Sequence, residues 1–440
     1  MSHLEIGLWS FPVLLLLIFL RVPIGIAMFG VGVIGSIVLN GTPLMMLAQL
    51  KHLPYGTFSN YSFSIIPLFL LMGQFATVGG LSTALFKAAG AWLGHRPGGV
   101  AMAAIGACAG FGAICGSSLA TAATMGQVAL PELRRFGCSG GLATGALAAG
   151  GTLGILIPPS VILVIYAILT EQNIAKLFTA ALLPGALAAT GYLLAIAVVA
   201  RVSGGAGDPA ARMPYRERFL LMVRIWPVIL IFAAVIGGIY IGIFTPTEAA
   251  AVGAAGTGLV ALLNGGLNRA SFRDCILATM SSTAMIFLII LGAAVFNTFL
   301  ATTRLPQELS AFVVEQGFSP WLVLVLVLLL YLVFGCVMDS LSMVLLTVPI
   351  LFPVMSALDF GLTGEEFALW FGVLVLIVVE VGLITPPVGL NLFVINAMAR
   401  DVPIGETYRG VMPFVLTDLV RVAVLVVFPS LSLALVWLLY

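Results

Sequence analysis

The stretch MDSLSMVLLTVPI, residues 338–350, places a carboxylate and several hydroxyls inside an otherwise apolar run. The segments on both sides of it are almost wholly aliphatic and aromatic. A bare charge at the centre of a bilayer costs at least about 2.5–3.5 kcal/mol, so an ionisable residue there indicates a functional site. Asp339, with Ser340 and Ser342 beside it, is therefore the first candidate site in this chain.

Composition extends the membrane interpretation to the whole chain. Of 440 residues, 61% are hydrophobic and 8% are charged, against about 45–50% and 25% in ordinary soluble domains. Apolar runs of the length that a bilayer helix needs recur from end to end, and the short alternating strands of a membrane barrel are absent. The five cysteines form no C-x-x-C pair, and we predict buried thiols instead of disulfides or a metal site. The sequence predicts an all-α, multi-pass integral membrane protein.

One pattern occurs twice in the chain. GILIPPS at 154–160 resembles GLITPPV at 382–388, which follows about 228 residues later. A polar island precedes each proline pair by about 40 residues, GSSLATAATM at 116–125 and MDSLSMVLLT at 338–347. Matched motifs at matched spacing indicate that the chain contains two similar halves.

The distribution of basic residues predicts how the halves are oriented. The linker 201–224 holds five arginines, and short basic loops stay on the cytoplasmic side. Counting outward from it, segment 98–131 begins and ends inside, whereas segment 319–356 begins and ends outside. A segment that enters and leaves on one side is a re-entrant hairpin, and two halves of opposite orientation are typical of an inverted-repeat transporter with discontinuous helices.

These observations divide a single transmembrane domain, residues 1–440, into predicted parts. In chain order they are the first inverted repeat 64–200 (hairpin 98–131, broken helix 140–169), the cytoplasmic linker 201–224, and the second inverted repeat 276–438 (hairpin 319–356, broken helix 367–398).

The two islands and the two proline pairs suit ion and substrate binding. Gly116, Ser117 and Ser118 are small enough for a hairpin tip, where backbone groups at membrane depth must be satisfied by protein or by a water-filled cavity. Pro158-Pro159 and Pro386-Pro387 break their helices and expose carbonyl and amide groups. Carbonyls, hydroxyls and a carboxylate suit a small hard cation such as Na⁺, while helix N-termini suit an anionic substrate group.

Other polar residues have simpler interpretations. We interpret Glu248 in FTPTEAAAVG as a helix-start residue in preference to a substrate contact, and Glu380 remains open between the two roles. Asp418 and Arg421 are three apart on one helical face and are predicted to pair with each other. The chain has no nucleotide-binding signature, so the energy for transport is expected from an ion gradient or a partner protein.

Long blocks of the sequence resemble the large membrane subunit of TRAP transporters (tripartite ATP-independent periplasmic transporters), over about residues 5–438. They are GAICGSSLATAATMGQVALPEL, ATGALAAGGTLGILIPPSVILVIY, GIYIGIFTPTEAAAVGA, MDSLSMVLLTVPILFPV and VEVGLITPPVGLNLFVI. The resemblance implies an elevator-type transporter of the bacterial inner membrane that is coupled to Na⁺. It also implies two partners, a small membrane subunit of four helices and a periplasmic binding protein. The binding protein would deliver an organic acid, such as a C4-dicarboxylate or sialic acid.

The resemblance also implies site residues. A first sodium site would use Gly116, Ser117 and Ser118 from the hairpin tip with Gly151, Thr152 and Pro158 from the broken helix. A second sodium site would use Asp339 and Ser342 with Thr385, Gly389 and Asn391. The substrate would contact Ser118, Ser160 and Ser340. No organic cofactor and no metal other than Na⁺ are expected.

Three other functions compete with this interpretation. A stand-alone Na⁺/dicarboxylate symporter of similar architecture would need no binding protein, and the sequence leaves it open. A membrane-embedded enzyme would need paired acid–base or metal residues, and no His, Glu and Asp cluster of that spacing is present. Two closed-end hairpins also favour alternating access over an open channel.

Overall fold

The structure is a computed structural model that describes residues 2–202 and 205–440, and nearly all of this part is helical. In chain order the helices are α1 (His3–Phe19), α2 (Ile24–Asn40), α3 (Leu44–Leu50), α4 (Leu53–Phe58), α5 (Ile65–Val78), α6 (Leu81–Leu93), α7 (Gly99–Cys115), α8 (Ser118–Arg135), α9 (Gly140–Leu156), α10 (Val161–Leu169), α11 (Ile174–Val202), α12 (Tyr215–Arg224), α13 (Trp226–Phe232), α14 (Gly238–Tyr240), α15 (Pro246–Leu263), α16 (Arg269–Thr303), α17 (Leu305–Glu315), α18 (Pro320–Gly335), α19 (Ser340–Ser356), α20 (Gly364–Leu383), α21 (Leu390–Met398), α22 (Ile404–Val427) and α23 (Ser430–Leu439). A 3₁₀ turn at Tyr61–Ser64 leads into α5, and a π-helical turn at Ala233–Gly237 joins α13 to α14.

The helices have the length and composition of membrane spans. Within the described residues six helices are long and apolar enough to cross a bilayer, and counting each sharply bent helix pair as one span gives eight. The bent pairs are α9 with α10, at 45°, and α12 with α13–α14, at 47°. The predicted class of an all-α integral membrane protein is confirmed.

The first hairpin consists of α7 and α8, and it turns at Gly116. This residue has φ 64°, a left-handed conformation that glycine adopts without strain. Ser117 then caps α8 by accepting a hydrogen bond from the amide of Ala120 at 3.4 Å. The sequence predicted an end near residue 131, but α8 continues through Pro131 to Arg135.

The second hairpin consists of α18 and α19 and turns without a glycine. Residues 336–338 make the turn, and Asp339 caps α19 by accepting the amide of Ser342 at 3.1 Å. Asp339, the first candidate site residue of the sequence, is therefore the N-cap at a hairpin tip.

Each proline pair interrupts a helix, as predicted. The first break separates α9 from α10, and the second separates α20 from α21. Gly389 closes the second break with φ 65°. Helix α20 is deeply buried, with 94% of its span inside the protein, whereas the break that follows it is partly exposed at Thr385 and Pro386 and exposed at Pro387.

Close glycine contacts bring each hairpin to its own broken helix. A Cβ at Gly112 of α7 would lie 2.6 Å from the Cα of Gly154 on α9. In the second half, a Cβ at Gly382 of α20 would lie 2.6 Å from the Cα of Gly335 on α18. Only glycine permits this approach of two backbones. In each half, a glycine contact therefore places the hairpin tip beside the break of the same half.

The two hairpins enter from opposite ends of the molecule. Helix α11 has 29 residues and is therefore about 43 Å long. At its start Lys176 pairs with Glu365, at 2.7 Å, next to the beginning of α20. Just beyond its end Gly205 accepts the amide of Ser139, at 2.9 Å, next to the beginning of α9. The bases of the two hairpins therefore lie on opposite faces, and the repeat boundaries given above stay a prediction.

The predicted linker 201–224 is partly helical. Residues 201–202 end α11, residues 205–214 are largely extended, and α12 follows from Tyr215. The extended part is bonded to both sides of the first hairpin: Asp208 donates its amide to Phe136 at 2.7 Å, and Ala210 donates its amide to Gly94 at 2.8 Å. Residues 203 and 204 lie outside the described part of the chain.

Site-directed labelling tests the predicted orientation. A cysteine at position 205 should react with a membrane-impermeant thiol reagent only from the cytoplasmic side, and a cysteine at position 364 only from the opposite side. The five native cysteines are buried in the structure and should give little background. Labelling of both introduced cysteines from the same side would contradict the opposed hairpins.

Candidate functional site

The two hairpin tips meet at one small cavity. It has a volume of about 120 Å³ and lies between the tips, the first broken helix and the helices α5 and α16. Its walls are Leu70, Gly116, Ser117, Ser118, Leu119, Ile155, Val161, Ile162, Met285, Ile286, Asp339, Ser340 and Leu341. The cavity therefore lies where the hairpin and broken-helix elements adjoin the rest of the membrane domain.

Three helix N-termini point to this cavity. Helices α8, α10 and α19 begin at its wall, and their N-caps are Ser117, Ser160 and Asp339. The amide groups of a helix N-terminus and the positive end of its dipole attract anions. None of the residues that line the cavity is a lysine or an arginine. The helix ends are therefore the groups there that can attract an anion, beside the carboxylate of Asp339.

The first tip packs against the glycine face of α9. A Cβ at Gly151 would lie 3.1 Å from the carbonyl oxygen of Ser118 and 3.2 Å from Nδ2 of Asn391. A Cβ at Gly154 would lie 2.3 Å from Oγ1 of Thr121 and 2.7 Å from the carbonyl oxygen of Ser117. Residues predicted for two separate sodium sites thus meet here, because Asn391 belongs to the second broken helix.

The second tip is held by side-chain and backbone bonds. Asp339 accepts the Ser342 hydroxyl at 2.5 Å in addition to the amide of that residue. Gly389 donates its amide to the carbonyl of Cys336 at 3.1 Å. A Cβ at Gly389 would lie 3.1 Å from the carbonyl oxygen of Leu383 and 3.2 Å from that of Thr385. Backbone oxygens therefore cluster at this break.

Glu380, which the sequence left open, lies at the site. It is fully buried and accepts the hydroxyl of Ser340 from the second tip at 2.7 Å. Ser118 from the first tip lies beside the same carboxyl group. Oε2 of Glu380 has no hydrogen-bond partner among the described residues. The carboxyl group of Glu380 is therefore bonded to the second tip and lies next to the first.

Several predicted ligands use their side chains locally. The hydroxyl of Thr385 donates to the carbonyl of Val381 at 2.6 Å, and the hydroxyl of Ser160 caps α10. Thr152 donates to the carbonyl of Ala149 at 2.7 Å and contacts Tyr192. Pro158 and Ser160 are buried beside the cavity without lining it. At these positions the backbone carbonyl, or the lone pairs of a hydroxyl, are the groups left to bind an ion.

Buried oxygens without partners make the region suitable for a hard cation. Oγ1 of Thr121, Oδ1 of Asn391 and Oε2 of Glu380 are buried and lack hydrogen bonds within the described residues. Such groups are costly unless something binds them. Among the described residues there is no group of three or more His, Cys, Asp or Glu residues that could hold a metal ion. Hydroxyl, amide and carboxylate oxygens are the donors that hard cations prefer.

Three other sequence-based interpretations agree with the structure. Glu248 forms a capping box with Thr245 at the start of α15, which confirms its helix-start role. Arg421 pairs with Asp418 at 2.9 Å, as predicted. The cysteines are unpaired and buried.

A larger cavity lies away from this chemistry. It has a volume of about 750 Å³ and lies between α3, α4, α10 and α16, and its walls are mostly apolar. Its lining includes one buried oxygen without a partner among the described residues, Oδ1 of Asn297, and the start of α4, but none of the oxygens of the tips. Size alone therefore does not identify the functional site in this molecule.

Three residues of the site region were missed from the sequence. Thr121 stands within the first polar island but resembles its neighbours, and Gly154 belongs to the repeated motif without being singled out. Tyr192 stands in an ordinary apolar helix and gives no local signal. Their roles depend on which helices pack together.

Opposed hairpins, broken helices and a cavity with polar residues of both tips in its wall define a multi-pass transport protein, not an enzyme. A comparison with known proteins gives the family. Residues 11–431 match the model described as Tripartite ATP-independent periplasmic transporter, DctM component, and the chain belongs to this family. It is therefore a multi-pass protein of the bacterial inner membrane.

Relatives cover most of the chain. The C4-dicarboxylate TRAP transporter large permease protein DctM of Pseudomonas aeruginosa is 38% identical over 87% of this chain and 87% of its own. The sialic acid TRAP transporter large permease protein SiaM of Vibrio cholerae is 31% identical over 95% of this chain and 96% of its own. The YdaH transporter of Alcanivorax borkumensis shares the fold, with a TM-score of 0.60 and 16% identity over 87% of this chain and 88% of that one.

Proposed function

We propose that this chain is the Na⁺-coupled subunit that carries a small organic acid across the inner membrane. The observation that supports the proposal best is the convergence of three helix N-termini on a cavity between the hairpin tips. These ends suit a carboxylate, and the adjoining buried oxygens suit Na⁺. The substrate is a C4-dicarboxylate, sialic acid or a similar acid, by likeness to the relatives named above.

Two partners belong to this proposal. A periplasmic binding protein delivers the acid, and a small membrane subunit of four helices accompanies the chain. The isethionate TRAP transporter permease protein DctMQ of Oleidesulfovibrio alaskensis supports the second partner. It is 31% identical to this chain, and the matching region covers 90% of this chain but only 60% of that longer protein.

Transport is proposed to follow an elevator mechanism. Helix α2 packs along α16 and α15 packs along α5, whereas the hairpin helices pack most closely against α6, α9, α17 and α20. The cavity has walls from both groups, since Leu70 of α5 and Met285 of α16 face the tips. Movement of the tips and breaks as one unit past α5 and α16 would therefore carry the site across the membrane.

Uptake into vesicles tests sodium coupling. The chain with its small subunit, reconstituted and supplied with binding protein and a panel of organic acids, should accumulate substrate only along an inward Na⁺ gradient. Equal NaCl on both sides, or KCl in place of NaCl, should reduce accumulation to background, and ATP should have no effect. Full accumulation in K⁺-only medium would contradict the proposal.

The same vesicles separate the two forms of the function. Omission of the binding protein should abolish uptake if the chain acts as part of a tripartite system. Undiminished uptake without any soluble component would instead favour a stand-alone Na⁺/dicarboxylate symporter.

A further inference from the structure

A chain of buried polar groups joins α9 to α11 and α22. The hydroxyls of Thr152 and Tyr192 lie 3.0 Å apart, and Tyr192 donates to Oδ2 of Asp418 at 2.6 Å. Nη2 of Arg421 lies 2.9 Å from Oδ1 of Asp418, though not aligned for a hydrogen bond. All four residues are buried, Tyr192 completely. A buried ion pair in a membrane protein is costly, so this one calls for a functional explanation.

The direction of the hydrogen bonds follows from the charges. The guanidinium of Arg421 favours the ionised form of Asp418, and an ionised carboxylate can only accept. Tyr192 must therefore give its single proton to Asp418, and its oxygen is left to accept from Thr152. The single proton of Thr152 has two acceptors within reach, the Ala149 carbonyl at 2.7 Å and the Tyr192 oxygen at 3.0 Å, and the lone pairs of Thr152 receive no hydrogen bond.

The end of this chain lies next to the first tip. Thr152 directly follows Gly151, the position whose missing Cβ leaves room for the carbonyl of Ser118 and the amide of Asn391. The last turns of α9 thus contact the tip on one face and Tyr192 on another. A small rotation or shift of α9 would move every oxygen around a cation bound there.

We propose that Tyr192, held by Asp418 and Arg421, is a positioning residue for the first sodium site and acts through Thr152. The inference rests on the sodium coupling proposed above. Tyr192 need not contact the ion or the substrate: through its contact with the Thr152 hydroxyl it fixes the position of α9, while the tip supplies the ligands. The side chains come from both halves of the chain, so the second half supports the ion site of the first.

The variant Tyr192→Phe tests the inference, because it removes the hydroxyl and keeps the ring that contacts Phe414 edge-to-face at 5.5 Å. The melting temperature of the purified membrane complex is measured as NaCl replaces KCl at constant ionic strength. This measurement needs neither substrate nor transport, since an ion that binds the folded state stabilises it. The Na⁺ concentration for half-maximal stabilisation should rise about three- to tenfold, as expected for one neutral hydrogen bond.

Tyr166→Phe is the matched control. Tyr166 is equally buried and donates its hydroxyl to the carbonyl of Ala368 at 2.8 Å, away from α9. Tyr166→Phe should lower the melting temperature in both salts without changing the Na⁺ concentration for half-maximal stabilisation. Equal midpoint shifts in the two variants would overturn the inference, because the effect would then be general to buried tyrosines.

A double variant tests the route through Thr152. Thr152→Val should raise the Na⁺ midpoint, and Tyr192→Phe added to it should raise it little further. Shifts that multiply would show independent effects and overturn the inference. A wild type that melts at the same temperature in NaCl and KCl would contradict the proposed function itself, whereas Na⁺ stabilisation that Tyr192→Phe leaves unchanged would overturn the positioning role alone.

Discussion

Asp339→Asn should raise the Na⁺ concentration for half-maximal uptake about ten- to a hundredfold while the protein assembles normally. The structure makes this substitution selective. Asparagine caps helices as well as aspartate does, so the bond to the amide of Ser342 is kept. What is lost is the negative charge beside a bound cation, a charge-assisted contact worth about 1.5–3 kcal/mol. Weaker Na⁺ binding should also lower the apparent affinity for substrate at fixed sodium, because coupling is reciprocal.

The measurement is a sodium titration of uptake in reconstituted vesicles, with Asp359→Asn as the control. Asp359 is an exposed carboxylate that accepts the amide of Gly361 at 2.8 Å in a surface turn. It has the same charge and a similar local bond, and it lies just beyond the C-terminal end of α19, whereas Asp339 caps the N-terminal end. The control should leave the titration unchanged. Superimposable curves for Asp339→Asn and wild type would place the carboxylate outside the ion site and reduce it to a helix cap.

Gly410→Ala should destabilise the protein by about 3 kcal/mol or more, the upper range for overpacking a tight contact. Helix α22 crosses α9 at this residue, and a Cβ there would lie 1.8 Å from the carbonyl oxygen of Gly141. That neighbour is backbone and cannot rotate away, so the two helices must separate. Because α9 contacts the first tip, uptake should fall along with stability.

Gly405→Ala on the same helix is the control. A Cβ at this position would have no atom within 4 Å, and alanine is the better helix former. Its melting temperature in detergent should equal that of the wild type or slightly exceed it. Gly410→Ala should melt several degrees lower, and a Gly410→Ala variant as stable as Gly405→Ala would contradict the close crossing of α22 and α9.

Local chemistry explains why much of the fold was predictable. Hydropathy marks helices that need a bilayer, and a pair of consecutive prolines interrupts a helix in both halves of the chain. The tips at Gly116 and Asp339 could be predicted because left-handed turns and helix N-caps favour a few residue types. The pairing of Asp418 with Arg421 followed from helical spacing alone.

Boundaries and partners across helices were less predictable. The end of α8 was placed near residue 131, at a proline, but the structure carries the helix a further turn because packing outweighs one missing amide. Glu380 could not be assigned from sequence, since its role depends on Ser340 and Ser118, which are distant in the chain. Asn391 was assigned to the second break, yet its side chain contacts α9 of the first half.

The sequence by itself determined the membrane class, the two hairpins and the two broken helices, because each depends on residues that are neighbours in the chain. Only the tertiary structure decided that both tips meet at one cavity, that Glu380 binds the second tip beside the first, and that Tyr192 links α9 to a buried ion pair. These contacts join residues up to hundreds of positions apart, through glycine faces that let backbones touch. Hydropathy and spacing report on the surroundings of one helix, whereas the packing of several helices decides which polar groups share a site.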